Sequence, residues 1–244
     1  TRAIRERHGK HAVATFLGNP SAFSVAHAMF ASAFFKGLGT RNAYGSSTQD
    51  CSNKFAVAER MYGSAIHQPV PDLKRTQMVI LIGTNPAISQ MSFVHAPNAV
   101  DTLLGIEARG GRVVHVNPRR TETAERVGEQ VFIRPDTDVF FLLSFLQVMF
   151  AEHDPGAVPH VRGLSELRAL VAPYSPERTA AVTRVPAGTL RELVAAFLSA
   201  RGASVYASTG LNMGRSGSVG IWLVNAINVL SGNLDREGGA IVPH

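Results

Sequence analysis

One stretch of the sequence constrains the fold more than any other: residues 77–90, which read QMVILIGTNPAISQ. Its first part, residues 78–82, is a continuous apolar run without alternation, as in a strand that is buried on both faces of a parallel sheet. The run ends in GTNP at 83–86, residue types that favour a tight turn and let a ligand approach the backbone. Ligands bind at the carboxyl ends of such strands in open α/β sheets, so this turn is the first candidate site.

Strands and helices alternate along the whole chain. Further strands are predicted at 11–17, 112–116, 130–133 and 203–208, and helices at 21–38, 52–63, 96–109, 121–127, 135–153, 164–172, 176–182, 187–199 and 220–230. This alternation predicts an α/β fold with a doubly wound, mostly parallel sheet that is covered by helices. We expect residues 45–208 to form the doubly wound domain, and residues 1–44 and 209–244 to form part of a smaller α/β lobe.

Composition excludes several classes of function. The single cysteine excludes an internal disulfide framework and a self-contained cysteine zinc or iron–sulfur site. The net charge is +6, but the 24 Lys and Arg residues are scattered, which weakly favours an anionic ligand and argues against nucleic acid. The apolar runs are far shorter than the roughly 20 residues that span a bilayer, so no direct membrane insertion is expected. The chain opens with TRAIRERHGK and shows no signal peptide, which favours a cytoplasmic location, or a periplasmic one if the full-length chain carries a signal.

Cys51 is the only thiol, and two interpretations of it stay open. A free cysteine is most often a small buried apolar residue. This one lies in the polar run SSTQDCSNK, at the start of a predicted helix. The helix dipole and Lys54 would favour its thiolate there, whereas Asp50 would oppose it. The residues alone therefore leave a reactive or metal-binding cysteine and a structural one equally open.

Other polar residues follow the predicted strands. The turn after Ile82 lacks the GxGxxG pattern, and the next strand ends in Asn117 rather than in an acidic residue, so a conventional nicotinamide dinucleotide site is not expected. Arg119 and Arg120 suit a pyrophosphate, although exposed arginines often only solvate a loop.

Two more segments have a structural interpretation beside a functional one. Asp136, Thr137 and Asp138 lie at a helix start, where N-capping would explain them, but a carboxylate there would also accept hydrogen bonds from a guanine edge. The run NMGRSG at 212–217 is either a plain linker or a loop that lies against a flat ligand.

Five motifs in one order resemble the bis-molybdopterin-guanine-dinucleotide oxidoreductases of the dimethyl-sulfoxide-reductase type. They are SSTQDCSNKFAVAERMYG, LIGTNP, VNPRRTETA, IRPDTD, and TGLNMGRSG with LSGNLDREGG, and together they extend over nearly the whole chain. The resemblance implies the cofactor-binding fold of formate dehydrogenase and dimethyl sulfoxide reductase. It also implies a segment of a molybdenum or tungsten enzyme that catalyses two-electron oxo-transfer or dehydrogenation.

The resemblance further implies roles for individual residues. Cys51 would be the catalytic residue and ligate the metal, and the other sulfur ligands would come from two molybdopterin guanine dinucleotides. Asn19 and Ser47 would face the cofactor. The phosphate and ribose of one dinucleotide would be held by Gly83, Thr84, Asn85, Pro86, Asn117, Pro118, Arg119 and Arg120, its guanine by Asp136, Thr137 and Asp138, and the pterin would lie near Thr209, Gly210, Asn212 and Met213.

Members of this family usually carry a [4Fe–4S] domain before this region and a further domain that closes over the cofactor. We therefore interpret the chain as a central segment of the catalytic subunit, which holds no iron–sulfur cluster and in isolation no metal. Its expected partners are a small-molecule redox substrate, an electron-transfer protein or subunit whose iron–sulfur centres take the electrons, and the remaining domains of the same polypeptide.

Two positions in the sequence narrow the choice of substrate, and two other interpretations of the chain stay open. Ser52 and Trp222 stand where typical formate dehydrogenases have His and Arg, which disfavours formate as the substrate. One rival is a molybdenum-free structural subunit of a respiratory complex with the same fold. The other is an ordinary nucleotide- or NAD-binding domain.

Overall fold

The computed structural model describes residues 1–18, 21, 24–90, 96–155, 158 and 160–242. It divides the chain into two compact units, Thr1–Ser52 and Asn53–His244. This division differs from the predicted one, because residues 45–52 belong to the first unit and residues 209–242 to the second. The domain organisation of the complete protein stays a prediction.

The first unit contains short elements and one long helix. They are α1 (Arg2–His8), a 3₁₀ turn (Lys10–Ala12), β1 (Thr15–Leu17), α2 (Val25–Leu38), β2 (Ala43–Gly45) and α3 (Ser47–Asp50), and β1 pairs in parallel with β2. The predicted helix at 21–38 begins only at Val25, because the Ser24 side chain accepts a hydrogen bond from the His27 N–H and so caps it. The spacing of its apolar residues predicts the helix, but Met29 and Phe30 of that spacing are 67% and 75% exposed.

The second unit holds the remaining elements. They are α4 (Ser52–Tyr62, which starts at the last residue of the first unit), β3 (Val70–Pro71), β4 (Met78–Ile82), α5 (Pro86–Ser89), α6 (Ala99–Ala108), β5 (Arg112–Asn117), β6 (Glu129–Phe132), α7 (Asp138–Val148) with a π-helical turn (Met149–His153), α8 (Leu164–Val171), α9 (Pro176–Thr183), α10 (Ala187–Ser199), β7 (Ala203–Ala207), α11 (Thr209–Asn212), α12 (Gly217–Leu230) and β8 (Ala240–Ile241). No helix among the described residues is both long and apolar enough to cross a bilayer.

Four of the strands form the sheet that organises this unit, in the order β6-β5-β4-β7 and with every pair parallel. All five residues of β4 are buried, as the continuous apolar run predicts. From β4 the chain proceeds outward to β5 and β6 and then returns to place β7 on the other side of β4. The predicted doubly wound α/β class is therefore confirmed, and the reversal of strand order between β4 and β7 is where such sheets bind ligands.

The core lies on both faces of this sheet. On one face Ile80 belongs to a large cluster with α7, α10 and α12, in which Phe145 and Phe197 meet edge to face with ring centres 5.5 Å apart. On the other face Leu81 belongs to a smaller cluster with Leu103 of α6. Burial on both faces explains why β4 carries no polar residue.

The outer edge of β7 is covered by side chains instead of a strand. Asn233 Oδ1 accepts the Ala203 N–H at 3.1 Å, Asn228 pairs with both the N–H and the C=O of Val205 at 2.9 Å, and Lys54 Nζ donates to the Ala207 carbonyl oxygen at 2.8 Å. These bonds satisfy backbone groups that would otherwise be open to pairing with another strand. They also fix the first turns of α4 at the carboxyl end of β7.

Other sequence predictions fail locally. The predicted helix at 121–127 is a run of turns. The Thr121 hydroxyl oxygen accepts the Ala124 N–H at 3.2 Å, as at a helix N-cap, but the run ends at Gly128, whose φ of +83° is not helical. The antiparallel pair of β3 and β8 is not predicted, because each strand has only two residues.

Candidate functional site

The carboxyl ends of the parallel strands bring the predicted segments of the second unit to one edge of the sheet. Residues 83–86 follow β4, 117–120 begin at the last residue of β5, 136–138 follow β6, and 209–213 follow β7. The first and last of these segments flank the reversal of strand order. This edge is the candidate site.

The turns after β4 and β7 touch each other at two glycines. The Gly210 N–H donates to the Gly83 carbonyl oxygen at 3.0 Å, and Gly83 has φ +58°. A Cβ on Gly83 would lie 2.9 Å from the Gly210 Cα, and one on Gly210 would lie 2.7 Å from the Gly83 Cα. The Gly210 backbone thus fills the space at the Cβ position of Gly83, and the role of Gly83 in holding a ligand stays a prediction.

Thr84 is buried, with only 4% of its surface exposed. Its hydroxyl oxygen has no hydrogen-bond partner among the described residues. A buried polar group without a partner costs about 1–3 kcal/mol. The turn after β4 therefore carries a polar atom that a bound ligand could satisfy.

The Asn85 side chain joins the turn after β4 to the turn after β5. Its Nδ2 donates to Glu122 Oε2 at 2.6 Å, and its Oδ1 accepts the Thr123 hydroxyl at 2.8 Å. Arg119 Nη2 donates to the same Glu122 oxygen at 3.1 Å. Pro86 opens the one-turn helix α5 and is buried. The two turns are thus linked before any ligand binds.

Glu122 is a site residue that the sequence analysis did not identify. Its own backbone N–H, then Arg119 and Asn85, hold the pKa of this carboxyl below its usual range, so it is anionic at neutral pH. The only signal in the sequence is its place in the TETA part of the third motif. Its charge offsets that of Arg119, which therefore does more than solvate a loop.

The remaining residues of the turn after β5 are more exposed. Asn117 Oδ1 accepts the Arg119 N–H at 3.2 Å, a local bond that is typical of asparagine in turns. Pro118 and Arg120 are exposed. Arg120 forms no ion pair within the part of the chain that the structure describes, so its guanidinium is available to an anion.

Asp136, Thr137 and Asp138 connect β6 to α7. Thr137 occupies the N-cap position of α7, but its hydroxyl donates to the Arg134 carbonyl oxygen at 2.6 Å instead of capping the helix. Burial, and then the charge of Asp136, raise the pKa of the Asp138 carboxyl. The N-capping interpretation is therefore wrong for Thr137, and Asp138 is a half-buried acceptor at the sheet edge.

Asp136 faces the segment that follows β7. Its Oδ1 accepts the Arg215 N–H at 3.1 Å. An open depression of 420 Å³ lies here, lined by Asp136, Thr209, Gly210, Met213, Gly214 and Arg215. Asn212 is buried, and its carbonyl oxygen accepts Asn53 Nδ2 at 2.7 Å. The segment 212–217 is thus held by side chains of other elements at Asn212 and at Arg215, so it is not a plain linker.

Three predicted residues fall in the first unit, and Asn19 lies outside the described residues. Cys51 lies between α3 and α4, is 4% exposed, and donates its N–H to the Ser47 carbonyl oxygen at 3.0 Å. It belongs to neither hydrophobic cluster of the described residues. Ser47 itself is exposed. The predicted role of Cys51 as a metal ligand stays a prediction.

Lys54 is predicted to favour the thiolate of Cys51. The structure shows which groups its ammonium contacts. Its ammonium is buried, donates to the Ala207 carbonyl oxygen at 2.8 Å, and lies 4.9 Å from the centre of the Tyr206 ring. Both contacts lie at the end of β7. Lys54 thus anchors α4 at the candidate edge.

No family model matches the chain. Among curated proteins, the chain is 27% identical over 250 residues to the molybdopterin-containing subunit of thiosulfate reductase from Salmonella typhimurium, and the match covers 97% of this chain and 30% of that protein. It is 22% identical over 186 residues to the alpha subunit of an F420-dependent formate dehydrogenase from Methanococcus maripaludis, with 75% of this chain and 27% of that protein covered.

Among solved structures, acetylene hydratase from Pelobacter acetylenicus has the same fold, with a TM-score of 0.74 over 99% of this chain, 32% of that chain and 19% sequence identity. The chain spans less than a third of the length of each of these three proteins.

Proposed function

We propose that the chain, whose relatives are molybdopterin-containing oxidoreductases of the dimethyl-sulfoxide-reductase family, is the central segment of a molybdenum or tungsten enzyme of that family. In this proposal the sheet edge binds one guanine dinucleotide of a bis-pterin cofactor. The observation that carries the proposal is the buried Thr84 hydroxyl, which has no hydrogen-bond partner among the described residues, at the point where the strand order reverses. A doubly wound sheet places its ligand at that point.

The residues at the edge fit the two chemically different ends of a guanine dinucleotide. Arg120 and the exposed backbone of the turn after β5 would hold phosphate oxygens. Asp138 would accept hydrogen bonds from the guanine N–H groups. Glu122 repels phosphate but accepts hydrogen bonds from hydroxyl groups, so we assign it to the ribose. The Thr84 hydroxyl would donate to the ligand, which removes the cost of leaving it buried and unbonded.

The reaction class follows from the family and from the thiol. When bound, the metal–pterin group supplies two-electron redox chemistry, either oxo-transfer or dehydrogenation. Cys51 would be the one protein ligand of the metal, and its sulfur would tune the site. Electrons would pass to iron–sulfur centres outside this chain. Ser52 and Trp222 disfavour formate, and an oxo-transfer substrate such as nitrate or an S- or N-oxide is our proposal.

The test begins with the intact polypeptide, purified without oxygen. We expect molybdenum or tungsten, pterin, and a guanine nucleotide that is released on denaturation. Cys51→Ser should alter the metal's X-ray absorption spectrum by removing a metal–sulfur scattering path. A protein with neither metal nor guanine nucleotide would contradict the proposal and favour the structural subunit. A rise in melting temperature with NAD but not with guanine nucleotides would favour the ordinary nucleotide-binding domain.

Substitution of Thr84 gives a sharper test, because it should change the cofactor-free and the nucleotide-bound protein in different ways. Thr84→Val keeps the shape and removes the hydroxyl, so the cofactor-free protein should gain about 1 kcal/mol of stability while the fraction of protein that retains the nucleotide falls. Thr84→Ser keeps the hydroxyl and is the matched control, which should retain the nucleotide. Equal nucleotide retention by the Val and Ser variants would remove Thr84 from the site.

A further inference from the structure

The turn between β6 and α7 contains an unusual backbone conformation. Pro135 is the second residue of the turn from Arg134 to Thr137, and Asp136 is the third, with φ +61°. Positive φ after proline is the pattern of a type II turn, which favours glycine at that position. A side chain there is strained, and strain of this kind persists where the surrounding structure compensates for it. The turn alone therefore does not explain why position 136 carries an aspartate and not a glycine.

The carboxylate of Asp136 supplies such a reason, because it lies in the bend of the loop at 212–217. Its Oδ1 accepts the Arg215 N–H at 3.1 Å. Gly214 packs so closely that a Cβ added to it would lie 2.9 Å from the same oxygen. The two contacts connect the turn after β6 with the loop after β7, across the intervening strands β5 and β4.

We propose that Asp136 is a positioning residue whose carboxylate latches the loop at 212–217. This latch holds the wall of the 420 Å³ depression that Asp136, Gly214 and Arg215 form, next to Asp138, where the guanine end of the ligand would lie. The guanine part of this inference rests on the proposed function. The proposal gives different roles to the carboxylates of Asp136 and Asp138, which look equivalent in the sequence. Asp136 holds the loop, and Asp138 accepts hydrogen bonds from the base.

Three variants at this position separate charge, strain and hydrogen bonding. Asp136→Asn keeps the acceptor and the tolerance for positive φ but removes the charge. Asp136→Ala keeps the strain and removes the acceptor. Asp136→Gly removes both the strain and the acceptor. Asp235 also has positive φ, at 52°, so Asp235→Gly relieves similar strain in another turn of the second unit and is the matched control.

The first measurement is hydrogen exchange at the Arg215 amide in the nucleotide-free protein. Loss of one hydrogen bond is worth about a fivefold change in the opening equilibrium, so exchange should accelerate about fivefold in Asp136→Ala and Asp136→Gly. Asp136→Asn and Asp235→Gly should exchange like the wild type. Unchanged exchange in Asp136→Gly would overturn the latch, whether or not any nucleotide binds.

The second measurement is the affinity for guanosine diphosphate, used as a probe of the guanine end. The Ala and Gly variants should bind about fivefold more weakly, and Asp136→Asn should bind like the wild type. Weak binding by all three variants with unchanged Arg215 exchange would show direct contact with the base and overturn the positioning role. Absence of binding to the wild type would contradict the guanine assignment, while the exchange result would still decide the latch.

Discussion

Replacing Gly83 by alanine should destabilise the second unit through two separable effects. Because Gly83 has φ +58°, a side chain there costs about 1–2 kcal/mol of backbone strain. Its Cβ would also lie 2.8 Å from the Leu211 nitrogen and 2.9 Å from the Gly210 Cα, and relief of such crowding typically costs about 1–3 kcal/mol. We expect a total loss of roughly 2–5 kcal/mol. For a unit of this size each kcal/mol lowers the melting temperature by about 2–4 °C.

Two control variants measure the effects one at a time. Gly110 has φ +80° and no heavy atom within 4 Å of an added Cβ, so Gly110→Ala carries the strain without the crowding. Gly210 does not have positive φ, but its Cβ would lie 2.7 Å from the Gly83 Cα, so Gly210→Ala carries the crowding alone. Urea unfolding of the cofactor-free protein, followed by circular dichroism, gives the three free energies. If Gly83→Ala costs no more than Gly110→Ala, or if Gly210→Ala is neutral, the contact between the two turns does not hold the edge together.

Two further substitutions test the sheet away from its carboxyl edge. Asn228→Ala should cost about 2–4 kcal/mol, because it leaves both the N–H and the C=O of Val205 buried without a partner. Urea unfolding should show a much smaller loss for Ser218→Ala, at an exposed position of the same helix, and similar losses would contradict the role of Asn228 at the strand edge. His115 is 1% exposed, its Nε2 lies 2.9 Å from the Val127 carbonyl oxygen, and burial lowers its pKa. Since the unfolded chain binds this proton near pH 6.5 and the folded protein only at lower pH, stability should fall as the pH drops below about 6.5, by up to about 1.4 kcal/mol per pH unit. His115→Gln should flatten that slope in urea titrations between pH 7 and 5, the exposed His67→Gln serves as the control, and an unchanged slope in His115→Gln would refute the assignment.

The sequence predicts the sheet because its strongest signal is local. A strand that is buried on both faces must be apolar at every position, and β4 is recognisable for that reason. The helix pattern of α2 is equally clear, but it does not tell what covers the apolar side, and Phe30 is exposed in the described structure. Hydrophobic periodicity identifies a helix or a strand, whereas its burial depends on neighbouring residues that are often far away in sequence. The two-residue strands β3 and β8 carry no periodicity at all.

The site is predictable in its position and not in its contacts. Strand ends mark where polar residues will converge, and the segments after β4, β5, β6 and β7 do lie at one edge. The partners of those residues depend on side-chain geometry across elements. Nothing in the sequence shows that Glu122 pairs with Arg119, or that the Gly83 backbone meets Gly210. Asp136 and Asp138 look equivalent in the motif, yet only Asp136 has positive φ.

Under the proposed function, the charges along the edge favour one direction of the dinucleotide. At the end of β5, Glu122 pairs with Arg119, whereas Arg120 forms no ion pair among the described residues and would attract phosphate. Beyond β6, Asp138, with Asp136 beside it, would repel phosphate and accept hydrogen bonds from a group with several donors. A guanine edge offers such donors, whereas the corresponding edge of adenine presents a ring nitrogen acceptor to the carboxylate. A ligand that reversed its direction would place its base beside Arg120 and its phosphate beside the carboxylates of Asp136 and Asp138, where Arg215, which lines the same depression as Asp136, is a nearby cation. Under the proposed function, the carboxylate of Asp138 therefore favours guanine as the base, and Arg120 favours this orientation of the nucleotide.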